Sequence, residues 1–243
     1  MTTPADSPAN PQPLIEIDVW TDVVCPWCYI GEARLYEAIE AEGLADKVRL
    51  RARSFELDPT SPAEVTQTST EMLAAKMGVG NDVARAKEAD VAALAEELGR
   101  EFAIDRPFAN TRAIHRVMQA INSAHPDDDG AAGTAFFLDL QRGYFSGTLN
   151  PFEEASVLAA ATAHGLSEDA ARAALTSQES DAVVEQEIQT ARQMGAGGVP
   201  FFVFNNKFAA PGALPTDTFR QALRQVAADA EGEGVANTEG TQA

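Results

Sequence analysis

Cys25-Pro26-Trp27-Cys28 holds both cysteines of this 243-residue chain, two residues apart, where a run with strand character gives way to helical spacing. Two thiols at that spacing, in a chain with no other sulfhydryl, point to redox chemistry. A purely structural disulfide between them would close too small a loop to restrict the unfolded chain. Structural zinc wants about four Cys or His ligands. Here His115, His125 and His164 are scattered and there is no second cysteine pair, so no metal is expected.

The flanking residues define how the thiols are presented. Leu14-Ile15-Glu16-Ile17-Asp18-Val19-Trp20 reads as a strand, and Gly31, Leu35, Ala38 and Ile39 recur at helical spacing. A helix over 25–42 puts Cys25 at the N-cap, Pro26 at N1 and Cys28 at N3. Proline suits N1, where its missing N–H would have had no partner anyway. An N-cap side chain accepts hydrogen bonds from the N–H groups of N2 and N3, and the helix dipole adds positive potential there. Both effects favour the thiolate of Cys25, and thiols so placed titrate at roughly 3.5–7.5. Cys28, one turn further in, is more shielded. Cys25 is therefore expected to be the nucleophile and Cys28 the resolving thiol. The nearby carboxylate of Asp22 opposes thiolate formation.

The elements that must hold this motif follow along the chain. After the helix comes a strand over 47–55 and a turn at Leu57-Asp58-Pro59. A helical block follows: Val91, Leu94, Ala95 and Leu98 share one face, with Gly99 as a stop. Ile114, Val117, Met118 and Ile121 share another, and Phe137, Leu140 and Tyr144 mark a third. Asn150, Pro151 and Glu153 read as N-cap, N1 and N3 of a helix ending at Gly165. Ser167 caps the next, and a helix over 179–194 stops at Gly195. Strand character returns at Phe201-Phe202-Val203-Phe204, Asn205-Asn206 suits a hairpin turn, and Phe208-Ala209-Ala210 pairs back. Phe219, Ala222, Leu223 and Val226 form a last amphipathic helix. Residues 1–13 and 229–243 are poor in apolar side chains and are expected to be disordered.

The chain is 45% hydrophobic with a formal net charge of −19. That charge repels nucleic acid and anionic membrane surfaces, and no apolar run is long enough to span a bilayer. The first residues lack the basic and apolar regions of a secretory signal. A cytoplasmic location is expected, where a pair of thiols cycles rather than staying bridged.

A second signal lies at Gly197-Gly198-Val199-Pro200, just before the aromatic strand. Proline is tolerated at a strand's first residue, and X-Pro bonds are the common hosts of cis peptides. A strand, CxxC and helix early, with Val-Pro entering a hairpin late, resembles the thioredoxin superfamily. The helical block between the βαβ and ββα halves is similar to the DsbA arrangement. Asp22 through Gly31, Phe55-Glu56-Leu57-Asp58-Pro59, Asn110-Thr111 with His115, and Gly198 through Val203 resemble the FrnE-like branch of that family. The likeness covers roughly residues 14–228.

The resemblance implies an α/β, thioredoxin-like fold built from 14–61 plus 197–228, with 62–196 as an inserted helical domain. It also implies thiol–disulfide exchange on protein or peptide disulfides, with Val199 and Pro200 aligning the substrate backbone. No bound cofactor is needed, because the Cys25–Cys28 disulfide carries the electrons and exchanges with glutathione or a redox partner. Kappa-type glutathione transferases and isomerases share this arrangement but typically place serine at the position of Cys25, which favours the redox reading. A chaperone-like peptide-binding module is the non-enzymatic rival. Among the remaining residues, His115 is expected at the border of its helix's apolar face, held by a hydrogen bond, or else in a substrate-positioning role. Asn110-Thr111 is expected to cap that helix, and Trp27 to form an apolar wall or stand exposed. Asp18 is either an edge-facing acid or a proton acceptor for Cys28.

Overall fold

A computed structural model describes residues 15–239. The expectation for residues 1–13, the strand start at Leu14 and the last four residues lie outside them. Four strands form one sheet in the order β2-β1-β5-β6, from β1 (Ile15–Thr21), β2 (Val48–Ser54), β5 (Phe201–Phe204) and β6 (Phe208–Pro211). β1 pairs parallel with β2 and antiparallel with β5, which makes an antiparallel hairpin with β6. The hairpin turns on Asn205 and Asn206, both at positive φ, which asparagine tolerates better than most residues.

The alternation of side chains along a strand assigns the two faces. Ile15, Ile17 and Val19 of β1 and Phe202 and Phe204 of β5 point to one side. There α1 (Pro26–Ala41) and α9 (Thr216–Glu239) cover them with Leu35, Ile39, Phe219 and Leu223. Trp20, Phe201 and Val203 point the other way, onto Val184, Ile188 and Ala191 of α8 (Gln178–Gln193). On that side Asp18 is buried between Arg51 and Arg53 of the neighbouring strand, at 3.0 and 2.8 Å. It is neither an edge acid nor a partner of Cys28. Its β2 neighbours are arginines, and the parallel register sets Asp18 opposite Arg51.

Between β2 and β5 lie α2 (Ser69–Met77), α3 (Asn81–Glu97), α4 (Arg112–Ala124), α5 (Ala131–Ser146), α6 (Glu154–Ala163), α7 (Glu168–Ala174) and α8. This block also contains a short antiparallel ladder, β3 (Gln67–Thr68) with β4 (Pro107–Phe108), which helical periodicity does not signal. Its core of Phe136, Phe137, Leu140 and Phe145 is continuous with Val23, Val24, Tyr29 and Ile30 around the cysteine motif.

Two elements depart from expectation. The Asn150 side chain makes an Asx turn with the Phe152 N–H, so α6 starts at Glu154 with Glu153 as N-cap. The local bond competes with helix and delays it. At the C-terminus α9 runs to Glu239, through residues expected to be disordered. A helix already anchored by Phe219 and Leu223 needs only propagation, without a new nucleus.

The inserted block is fastened to the sheet by Glu187 of α8. Its carboxylate accepts from the Ser54 N–H (2.7 Å), Gln119 Nε2 (2.6 Å) and Arg53 (3.0 Å), and its carbonyl accepts from Trp20 Nε1 (2.8 Å). Glu187→Ala removes an acceptor shared by three buried or half-buried donors. It is expected to cost about 3 kcal/mol, read as a lower urea midpoint, with Glu187→Gln recovering part of the loss.

Candidate active site

β1 ends at Thr21, and the buried Asp22-Val23-Val24 carries the chain to α1. Cys25 is the N-cap residue, in extended conformation at φ −80° and ψ 113°, with Pro26 at N1. Its sulfur does not accept from the helix N–H groups as the sequence suggested. The Cys28 N–H donates instead to the Cys25 carbonyl at 3.1 Å, and Pro26 has no N–H to give. The Cys25 thiol lies 3.6 Å from the Val199 carbonyl oxygen, to which it donates. Both cysteines are free thiols and buried.

The Val199–Pro200 peptide is cis, and it places the Val199 carbonyl across from Cys25. Two contacts seat this loop. The Pro200 carbonyl accepts from the Gly212 N–H at 2.8 Å. Gly31 lies so close that a Cβ there would come within 3.1 Å of Pro200 Cγ and 3.3 Å of Ala213 Cα. The glycine one turn beyond Cys28 is thus what lets α1 approach the loop.

Cys28 is fully buried. Burial pushes its thiol well above the ordinary cysteine value, and the adjacent Cys25 sulfur adds to this, while a hydrogen bond from Thr21 works the other way. While Cys28 keeps its own proton, the single proton of the Thr21 hydroxyl goes to Glu32 Oε1 at 3.4 Å. Glu32 is 1% exposed. Burial drives its carboxyl up to about 8, against the opposing pull of Arg100 and Arg142. Sequence reading missed both residues. The available signal was the i, i+4 spacing of Cys28 and Glu32, which puts them on one helix face.

Behind the motif, Asp22 is entirely enclosed. Its Oδ2 accepts from the Leu57 N–H (2.6 Å) and the Thr111 hydroxyl (3.0 Å). Its carbonyl accepts from the Cys25 N–H (3.1 Å) and Gln141 Nε2 (3.2 Å). His115 Nε2 faces Asp22 Oδ1 at 3.7 Å, and the ring stacks on Phe137. His115 is therefore a core residue with neither ring nitrogen hydrogen-bonded, instead of a boundary residue held by one. Thr111 is the N-cap of α4 by position, yet its side chain makes no cap bond because it is committed to Asp22. Asn110 supplies the local turn by accepting from the Arg112 N–H.

Trp27 is 45% exposed and stands at the edge of a cavity of about 600 Å³. Cys25 and Val199 form one part of its wall, and Met72, Leu94, Phe102 and Arg106 of the inserted block form another. Among the described residues, no group of three or more His, Cys, Asp or Glu side chains is placed to hold a metal ion. None of their helices is long and apolar enough to cross a membrane.

Comparison with known proteins agrees with this architecture. Residues 16–224 match the model of the DSBA-like thioredoxin domain. A protein titled a probable DsbA oxidoreductase, from Streptomyces coelicolor, is 32% identical, with 87% of this chain and 89% of that one covered and a TM-score of 0.77. The cytosolic disulfide reductase DsbM from Pseudomonas aeruginosa, solved with GSH, is 19% identical over 90% of this chain and 98% of that one, with a TM-score of 0.54. A 2-hydroxychromene-2-carboxylate isomerase is 15% identical over 87% and 95%, with a TM-score of 0.61. These last two show a shared fold. No curated protein matches. A family match across most of the chain, on a sheet and insertion arranged as above, establishes that this chain belongs to the DSBA-like thioredoxin-domain family.

Proposed function

We propose that the protein is a thiol–disulfide oxidoreductase that reacts through a mixed disulfide at Cys25, on disulfide substrates including those of peptides and proteins. The observation that carries this reading is the position of the Cys25 sulfur, at a helix N-terminus, 3.6 Å from the Val199 carbonyl and on the wall of an open cavity. The Cys25 thiolate attacks one sulfur of the substrate disulfide and forms a mixed disulfide, and the other substrate sulfur leaves as a thiolate. Cys28 then attacks the Cys25 sulfur, releasing the second substrate thiol and leaving the Cys25–Cys28 disulfide. Two electrons pass to the substrate, and glutathione or a redox partner restores the dithiol. With an oxidised pair the same steps run in reverse.

The environment of Cys28 fits its role as the second thiol. Its raised pKa keeps it protonated until the mixed disulfide is in place. The proton then needs an acceptor, and the Thr21 hydroxyl leads to Glu32, which takes it in its ionised form, a form that gains weight as the pH rises toward about 8. Val199 and Pro200 align the substrate chain beside Cys25. Asp22 and His115 touch no substrate in this scheme and act by holding the loop. Cysteine where glutathione-activating relatives carry serine favours exchange over isomerase chemistry. The expected location is the cytoplasm.

Cys25→Ser is expected to reduce insulin reduction to background. Cys28→Ser is expected to accumulate mixed disulfides that dithiothreitol releases on a gel. Intact turnover in Cys25→Ser sinks the proposal. Glu32→Gln is expected to slow release from the mixed disulfide by about 10²-fold, measured by rapid quench. It also has a stability signature. Between the ordinary carboxylate range and about 8 the folded protein holds a proton on Glu32 that the unfolded chain has lost. Raising the pH through that window therefore favours unfolding. Urea midpoints are expected to fall with pH there in the wild type and to fall less in Glu32→Gln.

A further inference from the structure

Asp22 stands three residues before Cys25, where a carboxylate opposes the thiolate, and the structure sharpens that difficulty. The Cys25 side chain takes no hydrogen bond from the helix N-terminus. It faces the Val199 carbonyl instead, an acceptor that favours the protonated thiol. Asp22 is held beside it, its carbonyl binding the Cys25 N–H at 3.1 Å. A bare charge on Asp22 would bear on the nucleophile whenever it has to ionise.

Asp22 and His115 are both 0% exposed, and what each lacks the other can supply. Asp22 Oδ2 has two donors and Oδ1 has none, while neither nitrogen of His115 has a partner. Oδ1 and Nε2 lie 3.7 Å apart, within ion-pair reach, with the ring seated on Phe137. A lone charge so deeply enclosed is costly, whereas a pair joined by a proton carries none overall. Nδ1 lacks a partner whichever proton arrangement is drawn. The charged groups on the surrounding elements are engaged elsewhere. Arg112 and Arg116, flanking His115 on α4, bind Asp181 of α8, and Arg112 also binds Glu56. Glu187 of α8 binds Arg53, and Arg172 of α7 binds Glu154 of α6. Tyr144 of α5 is pushed up to about 12, chiefly by burial, and stays neutral.

From this facing pair we infer that His115 and Asp22 share one proton on the line between Nε2 and Oδ1, with a second proton on Nδ1, so that together they carry no net charge. His115 is thereby a positioning residue that acts on Cys25 through Asp22. Beyond holding the loop, it lifts the acid's opposition to the thiolate without touching substrate. The inference rests on the exchange reading only in taking Cys25 as the nucleophile.

The test reads the ring and the thiol separately. In the nitrogen-15-labelled wild-type chain, the NMR shift of His115 Nδ1 is expected to show a proton at pH 8, above the ordinary histidine value of about 6.5. A bare Nδ1 there overturns the inference. The thiol is read as the pH midpoint of Cys25 alkylation by iodoacetamide in a Cys28→Ser background. His115→Gln leaves the Asp22 carboxylate with its two Oδ2 donors and no counter-charge, and is expected to raise that midpoint by about half a unit or more. Asp22→Asn alone is expected to leave it unmoved, and Asp22→Asn added to His115→Gln to restore it. A midpoint that stays in place in His115→Gln, or falls in Asp22→Asn, overturns the inference. So does a double variant no better than His115→Gln, because a purely structural role sums the losses. Should His115→Gln fail to fold, the wild-type ring reading decides alone. None of these readings needs turnover, so insulin reduction by the wild type tests the exchange reading independently.

Discussion

Asp22 is the residue on which the active-site geometry rests. It takes no part in electron transfer, yet four separate pieces of chain end on it. Its carbonyl fixes the Cys25 N–H and receives Gln141 from α5, while its carboxylate receives the backbone after β2 and Thr111 at the head of α4. Of the enclosed carboxylate, Oδ2 is met by two of these donors, while Oδ1 faces only the His115 ring. The same donors leave the loop between β1 and α1 little freedom. The direction in which Cys25 faces is therefore set from behind, by contacts that reach both the sheet and the inserted helices.

Legibility in the sequence followed the range of the interaction. The CxxC motif, its helix start and the hairpin at Asn205-Asn206 are decided by neighbours a few residues apart, and all three could be read directly. The Val-Pro entry to β5 could be paired with the cysteines only through family resemblance, since nothing local says what the bend faces. Glu32 was invisible for a different reason. An acid in the middle of a helix usually reads as a solvated residue, and its burial depends on Thr21 and on helices far along the chain. His115 was misplaced because helical spacing defines a face without saying what covers it. Here Asp22 and Phe137 close over the position that the wheel assigned to a border.

The charge pattern makes a related point. A net charge of −19 describes the surface in bulk and conceals local order. The three arginines of β2 share one face and meet Glu16, Asp18 and Glu187, which stitches β1, β2 and α8 together. The wall of the cavity beside Cys25 departs from the bulk in another way, since Lys87 and Arg106 are matched there by Asp90 and Glu88.

Cys25 and the Val199 carbonyl that receives its thiol are separated by 174 positions in the chain. During synthesis the cysteine motif leaves the ribosome before β2 and the entire helical block, and its facing loop follows them. At about 5–20 residues per second, that interval is on the order of ten seconds or more. Throughout it, β1 has its parallel neighbour available but not β5, and the cysteines have no opposing carbonyl. Completion of the site thus waits on the synthesis of β5. A nascent chain would carry two reactive sulfurs before it carries the surface that selects what they react with, and the reducing power of its surroundings would have to stand in for that surface until β5 closes the sheet.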